Sequence, residues 1–211
     1  MSENTPNPNI DIERQRKNVT ELYEHAAPIY DESFDGKAEY QTPYKLIELY
    51  QKHGITEGEV LDIGCGTGKL KEYLGEGFTY KGIDISPAMI ELAKKRGFEG
   101  FVGPVEDVIA TFGDKSVDHI TALASLNFVK DWENVAKQFE RVARKSIFVS
   151  LEQFTPEIIE NIKSRGIDLY NHSADAISDP KEVTKNIFLW IRPTVDERVE
   201  VYGDLVFKEL S

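Results

Sequence analysis

The chain has 211 residues, 40% hydrophobic and 29% charged, proportions that fit one ordinary globular domain with a sizeable buried core. Its net charge of −12, with Lys and Arg interleaved among Glu and gathered into no stripe, argues against nucleic acid or an anionic membrane as a partner. A lone cysteine (Cys65), no apolar run near the roughly 18 residues of a membrane span, and a polar start without a signal-peptide core point to the cytoplasm.

Residues 1–11, rich in Asn and Pro, read as a disordered tail, and 12–211 as a single domain. A helix is expected from Ile12 to about Ala27, with Val19, Leu22, Tyr23 and Ala26 on one face. Pro28 closes it, IYDESFDG follows as an aromatic and acidic loop, and a second helix covers about 41–53. Strand and helix then alternate. EVLDIG (59–64) reads as a buried strand and GKLKEYL (68–74) as a helix. YKGIDI (80–85) is a second strand, followed by the helix PAMIELAKKRG (87–97), with proline in its first turn and glycine past its end. A short strand at 100–103, a helical piece at 105–112, a strand at 117–123, a helix at 131–144 and a strand at 146–151 complete the series. Such alternation implies a parallel sheet covered on both faces. After a helix at 155–165, IFLWIRP and RVEVYGDLVF are separated by TVDE and read as an antiparallel hairpin. The expected fold is therefore α/β and Rossmann-like, a three-layer sandwich whose mixed seven-stranded sheet ends in a C-terminal antiparallel hairpin.

The stretch VLDIGCGTGKL (60–70) carries the chemistry. Glycines at 64, 66 and 68, directly after a strand, let a ligand approach bare backbone, and the helix that follows offers free N–H groups. Dinucleotides and adenosyl compounds both use this geometry. The spacing here is G-x-G-x-G, whereas dinucleotide sites prefer G-x-G-x-x-G. Asp62, two residues before the first glycine, suits a cationic amino-acid tail better than a pyrophosphate. Asp84, at the end of the second strand, can accept from ribose hydroxyls in either case.

LDIGCGTG followed by GIDISPAMIELA closely resembles the class I S-adenosylmethionine-dependent methyltransferases, and YEHAAPIYDESF resembles their N-terminal segment. The similarity runs from about Leu22 to Val149. It implies S-adenosyl-L-methionine as cofactor and methyl transfer by in-line displacement; the lack of a basic surface points to a small-molecule acceptor, and the lack of an evident base slightly favours an amine over a hydroxyl or thiol. It also implies that Gly64, Cys65 and Gly66 contact the methionine part with Asp62 nearby, that Asp84 holds the ribose, and that Ile85 and Met89 pack on the adenine. Leu123 and Asn127, after the fourth strand, belong to the same set. Relatives often carry G-D-A-E-D-L after the third strand, where this chain has Gly103-Pro104-Val105-Glu106-Asp107-Val108, so Pro104 replaces the acid that meets the adenine amino group. Val105 backbone or Glu106 is left to replace it. ASLNF, with Asn127-Phe128, stands where relatives often have a His pair.

Tyr23 and Tyr30 suit a cover over a sulfonium, since ring faces attract cations, or core packing of the first helix. His25, His172 and Tyr30 are the candidates for a proton acceptor, and no metal cluster stands out. His119, inside a strand, reads as structural. Residues 12–40 form an expected lid, mobile without ligand, and 152–185 an acceptor-side insert. A monomer or homodimer is expected. The rival readings are a non-catalytic S-adenosylmethionine-binding partner protein and an NAD(P)-dependent oxidoreductase.

Overall fold

Near-continuous apolar runs such as VLDI become strands buried on both faces, which is what parallel pairing demands. The computed structural model of the chain describes residues 11–34, 42–152, 156–170, 186–192 and 205–208; for 33–34, 151–152, 156–158 and the last two segments only the backbone is described. In chain order the elements are α1 (Ile12–Ala26), α2 (Tyr30–Phe34), α3 (Thr42–Lys52), β1 (Gly58–Ile63), α4 (Leu70–Leu74), β2 (Phe78–Asp84), α5 (Pro87–Lys95) and β3 (Glu99–Val102). They continue as α6 (Val105–Val108), β4 (Val117–Ala122), α7 (Trp132–Val142), β5 (Ala143–Glu152) and α8 (Pro156–Ser164).

The five strands pair in parallel in the order β3-β2-β1-β4-β5. Alternation along β1 divides the core. Leu61 and Ile63 join Ile120, Ile147 and α7 on one face, while Val60 joins Tyr80, Phe148, α3 and α5 on the other. The chain steps outward from β1 to β3, then crosses back to β4 on the other side of β1. This reversal opens a crevice beyond the carboxyl ends of β1 and β4, the place where such sheets take ligands.

The sheet corrects the sequence expectation. The part that carries the core and the crevice is five-stranded and all parallel, not the mixed sheet expected. The segment Asn186–Arg192 lies parallel to β5, with Ser146 opposite Asn186 and Glu152 opposite Arg192. Its unbroken apolar run, IFLWI, is that of a strand added in parallel, a pattern that does not announce a hairpin. Leu205–Lys208 lies antiparallel beside it, with Trp190 opposite Leu205, and TVDE lies outside the described residues. A second correction concerns IYDESFDG. Residues Ala27–Ile29 form a 3-10 turn and Tyr30–Phe34 a helix, because Pro28 sits within the first turn, where a missing N–H costs little.

Local signals account for the helix starts. Ser86 accepts from Met89 N at 3.2 Å ahead of Pro87, and Asp131 accepts from Asn134 N at 3.3 Å to begin α7. Helix α7 buries Trp132, Val135, Ala136, Phe139 and Val142 along one stripe, the i, i+3, i+4, i+7 pattern of a helix laid on a sheet. Phe139 is fully enclosed. Phe139→Ala is expected to cost about 3–5 kcal/mol in urea unfolding, the usual loss for a buried aromatic, with the m-value unchanged.

Candidate functional site

The turn after β1 is shaped by what it must avoid. Gly64 and Gly66 have φ of +65° and +53°, in the left-handed region that glycine tolerates. A Cβ on Gly64 would lie 2.3 Å from Ser125 Cβ, so the β1 and β4 loops touch only because that atom is missing. Ser125 Oγ donates to Ile63 O at 2.7 Å across the same contact. A Cβ on Gly66 would meet nothing nearer than Tyr30 Cε1 at 3.8 Å, so this residue presents open backbone.

Asp84, at the end of β2, ties the turn down. Its Oδ2 accepts from Gly66 N and its Oδ1 from Ser86 N, both at 2.9 Å. Burial raises its pKa, and the backbone N–H groups of Ser86, Gly66 and Ile85 oppose that rise. Asp62 lies deeper and accepts from Thr121 Oγ1 at 2.8 Å, its register partner on β4. Burial pushes its pKa up to about 7, with the Thr121 hydroxyl opposing the shift.

Around these groups lies a cleft of about 820 Å³, counting its open mouth. Its floor is the glycine turn, Ile83 and Asp84, and Ile85 and Val105 form its apolar sides. Leu123 and Ser125 bound it on the β4 side, and Tyr23, Tyr30 and Phe128 close over it. The rings of Tyr23 and Phe128 meet edge to face with centroids 5.9 Å apart, and those of Tyr23 and Tyr30 lie 6.2 Å apart. A smaller hollow of about 480 Å³, lined by Tyr30, Asp62, Cys65, Thr67 and Lys69, lies on the other side of the turn. The cleft and the hollow share Tyr30, Gly64, Gly66 and Leu123.

The roof is α1–α2, held by partners far away in sequence. Glu24 Oε1 accepts from Ser86 Oγ at 2.7 Å and Ala88 N at 2.8 Å, and these bonds lower its pKa, the Ala88 N–H most. Asp31 accepts from Thr67 Oγ1 at 2.7 Å and pairs with Arg96, which also donates to Thr67 O. Gln15 exchanges two 2.8 Å bonds with the backbone of Asp168. Asn18 donates to the carbonyls of Arg165 and Gly166.

Among the residues anticipated from sequence, Tyr23, Tyr30, Gly64, Gly66, Asp84, Ile85, Val105, Glu106 and Leu123 converge on the cleft. Asp62 and Cys65 line the smaller hollow instead. Cys65 is buried, and burial also raises its thiol pKa. Met89 is fully enclosed in the core. Asn127 is buried and bonded to the Tyr170 backbone in both directions, donating from Nδ2 to Tyr170 O and accepting Tyr170 N on its carbonyl. His25 sits on the exposed side of α1 with Nδ1 2.7 Å from Glu21 O, away from the cleft lining. His119 is buried between Ser146 and Glu57 O, as expected of a structural histidine. His172 lies outside the described residues. Sequence reasoning missed Gln15, Arg16 and Ser125. The first two are polar residues on a mostly polar helix, and only the fold tells that they face inward. Among the described residues no group of three or more His, Cys, Asp or Glu could hold a metal ion, and no helix is long and apolar enough to cross a membrane.

Comparison with known proteins agrees with this geometry. Residues 61–149 match the family model described as a methyltransferase domain. An uncharacterized methyltransferase of Oceanobacillus iheyensis is 29% identical over 138 residues, 58% of this chain and 60% of that protein. The 18S rRNA (guanine-N(7))-methyltransferase of Bos taurus is 57% identical over a much shorter stretch, 20% of this chain and 16% of that protein. Magnesium protoporphyrin IX methyltransferase from Synechocystis, solved with bound S-adenosylhomocysteine, shares the fold at a TM-score of 0.61 and 18% identity, over 77% of this chain and 85% of that one. The chain spans 60% or less of the length of the first curated relatives it matches. By its glycine turn, its strand order and these matches, the chain is similar to the class I S-adenosylmethionine-dependent methyltransferases, and its residues 61–149 match a methyltransferase domain.

Proposed function

We propose that this chain moves a methyl group from S-adenosylmethionine to a small-molecule acceptor, an amine before a hydroxyl or thiol. The observation that carries this reading is the pairing of open backbone at Gly66 with a buried Asp84 that lines the floor of the same cleft. The cofactor supplies an electrophilic methyl on a sulfonium whose thioether is a good leaving group. The residues of this chain bind and orient. In this reading Asp84 accepts from the ribose hydroxyls, Ile85 and Val105 sandwich the base, and Asp62 in the adjoining hollow faces the ammonium of the amino-acid tail. Tyr23, Tyr30 and Phe128 exclude water and turn ring surface toward the cation.

Transfer then depends on holding the acceptor about 3 Å from the methyl, behind the bond that breaks. An amine neutral at attack sheds its proton afterwards, so a site that relies on positioning suits it best. Tyr30 is the cleft-lining group able to assist as a proton acceptor; His25 and His172 complete the proposed set, His25 needing the roof to shift before it could reach the cleft. Residues 12–40 act as the lid, and 152–185 as the acceptor-side insert. The net charge of −12 favours a small acceptor over RNA, although one relative is an rRNA methyltransferase. The protein works as a monomer or homodimer in the cytoplasm.

Incubating the protein with methyl-labelled S-adenosylmethionine and a metabolite extract is expected to place label in a small basic compound. Label found only in RNA would overturn the acceptor class, and cofactor binding without transfer would favour a non-catalytic binder. Calorimetry is expected to show S-adenosylhomocysteine binding far more tightly than NAD. Asp84→Ala should weaken that binding by about 1.5–3 kcal/mol, the worth of hydrogen bonds to a charged group, provided its melting temperature reports a folded protein.

Asp62 gives the binding a pH dependence. An ammonium beside it favours the carboxylate, so its pKa falls from about 7 on binding and a proton is released. Affinity should be greatest above about pH 7 and decline as pH falls, by up to about tenfold per unit, until the pKa of the bound state is passed. Folding runs the other way. A carboxyl raised by burial adds stability that is complete below its unfolded pKa, about 3.9, and lost as pH rises through about 7. Asp62→Asn should flatten both profiles, as measured by calorimetry and urea unfolding between pH 5 and 8.5.

A further inference from the structure

In the cofactor reading given above, on which this inference rests, the adenosine half lies in the cleft and the amino-acid half in the smaller hollow. The sulfur that joins them then belongs at the boundary. The residues common to both spaces are Tyr30, Gly64, Gly66 and Leu123. Tyr30 is the one ring among the four, and the one carried by the roof instead of the sheet. Its Cε1 lies 3.8 Å from the point where a Cβ on Gly66 would stand, so the ring is set against the glycine turn. Helix α2 alone does not set it there, because five residues make too few internal bonds to hold their own place.

The next residue supplies the hold. Asp31 Oδ1 accepts from Thr67 Oγ1 at 2.7 Å, Asp31 Oδ2 pairs with Arg96 Nη2, and Arg96 Nη1 donates to Thr67 O at 2.8 Å. The three residues close a ring in which each is bonded to both others. A single hydrogen bond lets its partners pivot, whereas a closed ring fixes orientation as well as distance. Thr67 is buried within the glycine turn, and Arg96 caps the C-terminal end of α5 while its Nε donates to Glu72 of α4 at 3.3 Å. One guanidinium thus joins α2, the glycine turn, α4 and α5, and it lines neither the cleft nor the hollow.

We propose that Arg96 and Asp31 are positioning residues for the reacting methyl: clamped on Thr67, they hold the ring of Tyr30 over the sulfonium. A ring face attracts a cation only at close range, so a roof free to pivot loses that attraction before it loses the rest of the binding site. S-adenosylmethionine carries a positive sulfur, and its demethylated product, S-adenosylhomocysteine, a neutral one. The clamp therefore acts on the difference between the two.

Calorimetry on the full chain with both compounds reads that difference as a ratio of dissociation constants. Arg96→Met is expected to weaken S-adenosylmethionine about 2- to 30-fold more than S-adenosylhomocysteine, the range of a cation–ring contact. The sign separates positioning from charge. Removing a cation leaves the surroundings more negative, which by itself would favour the sulfonium and move the ratio the other way. Tyr30→Leu should shift the ratio at least as far as Arg96→Met, and the double variant no farther than Tyr30→Leu, because Arg96 acts through that ring. An Arg96→Met protein whose ratio is unchanged, or shifted toward S-adenosylmethionine, overturns the proposal. So does a double variant in which the two shifts add. If Arg96→Met melts early, Thr67→Val gives a second reading, since it keeps every charge and removes one bond of the ring. It should shift the ratio in the same direction, and an unchanged ratio there overturns the proposal. Wild type that binds neither compound sinks the cofactor reading and this inference with it. Binding of both that is weakened by Asp84→Ala, with the ratio untouched by Arg96→Met, sinks this inference alone.

Discussion

One buried carboxylate fixes the geometry on which the crevice depends. Asp84 takes an N–H from the glycine turn and another from the start of α5, so two loops that leave adjacent strands are held at one point. Without it, Gly66 has no reason to keep its amide turned inward, and Ser86 loses a bond at the position from which it caps α5. Desolvating a carboxylate is expensive, and the backbone donors repay part of that cost. The same atoms thus tie the fold together at the floor of the cleft.

Much of this was legible in the residues. Glycines at 64 and 66 after an apolar run give the turn, and Asp84 at the end of the next run gives the carboxylate beside it. The five α/β units follow from alternating periods. Pairing at the C-terminal edge could not be read the same way. IFLWI is apolar throughout, and a continuous apolar run does not state which neighbour it will choose or in which direction. TVDE between two such runs reads as a turn, and it lies outside the described residues. Pro28 misled for a related reason, since proline ends one helix and begins another with equal ease.

The roof was legible only as an outline. Tyr23 and Tyr30 stand out as aromatic residues outside the sheet, and both reach the cleft. Gln15, Glu24 and Asp31 do not stand out, because in a chain with 37 acidic residues a polar side chain on a charged helix looks like solvated surface. Their inward direction comes from partners supplied by Ser86, Arg96 and Asp168, and no local pattern encodes those. His25, which the chemistry of histidine recommends, is turned outward by the same helix that aims Tyr23 inward.

The distance in sequence between the roof and its anchor has a consequence for biosynthesis. Gln15 is bonded to Asp168, 153 positions away, and Asn18 to Gly166. When α1 leaves the ribosome, therefore, neither its anchor nor the sheet it covers has yet been made. The first helix waits, exposed and mostly polar, until about four-fifths of the chain has emerged and β1 to β5 can assemble. Its lack of a strong apolar stripe then becomes an asset: a more hydrophobic roof would fit the cleft as well but would spend that interval seeking other partners. The cleft is thus finished by a helix made well before the sheet it covers, which must bide its time in water before it has anything to close.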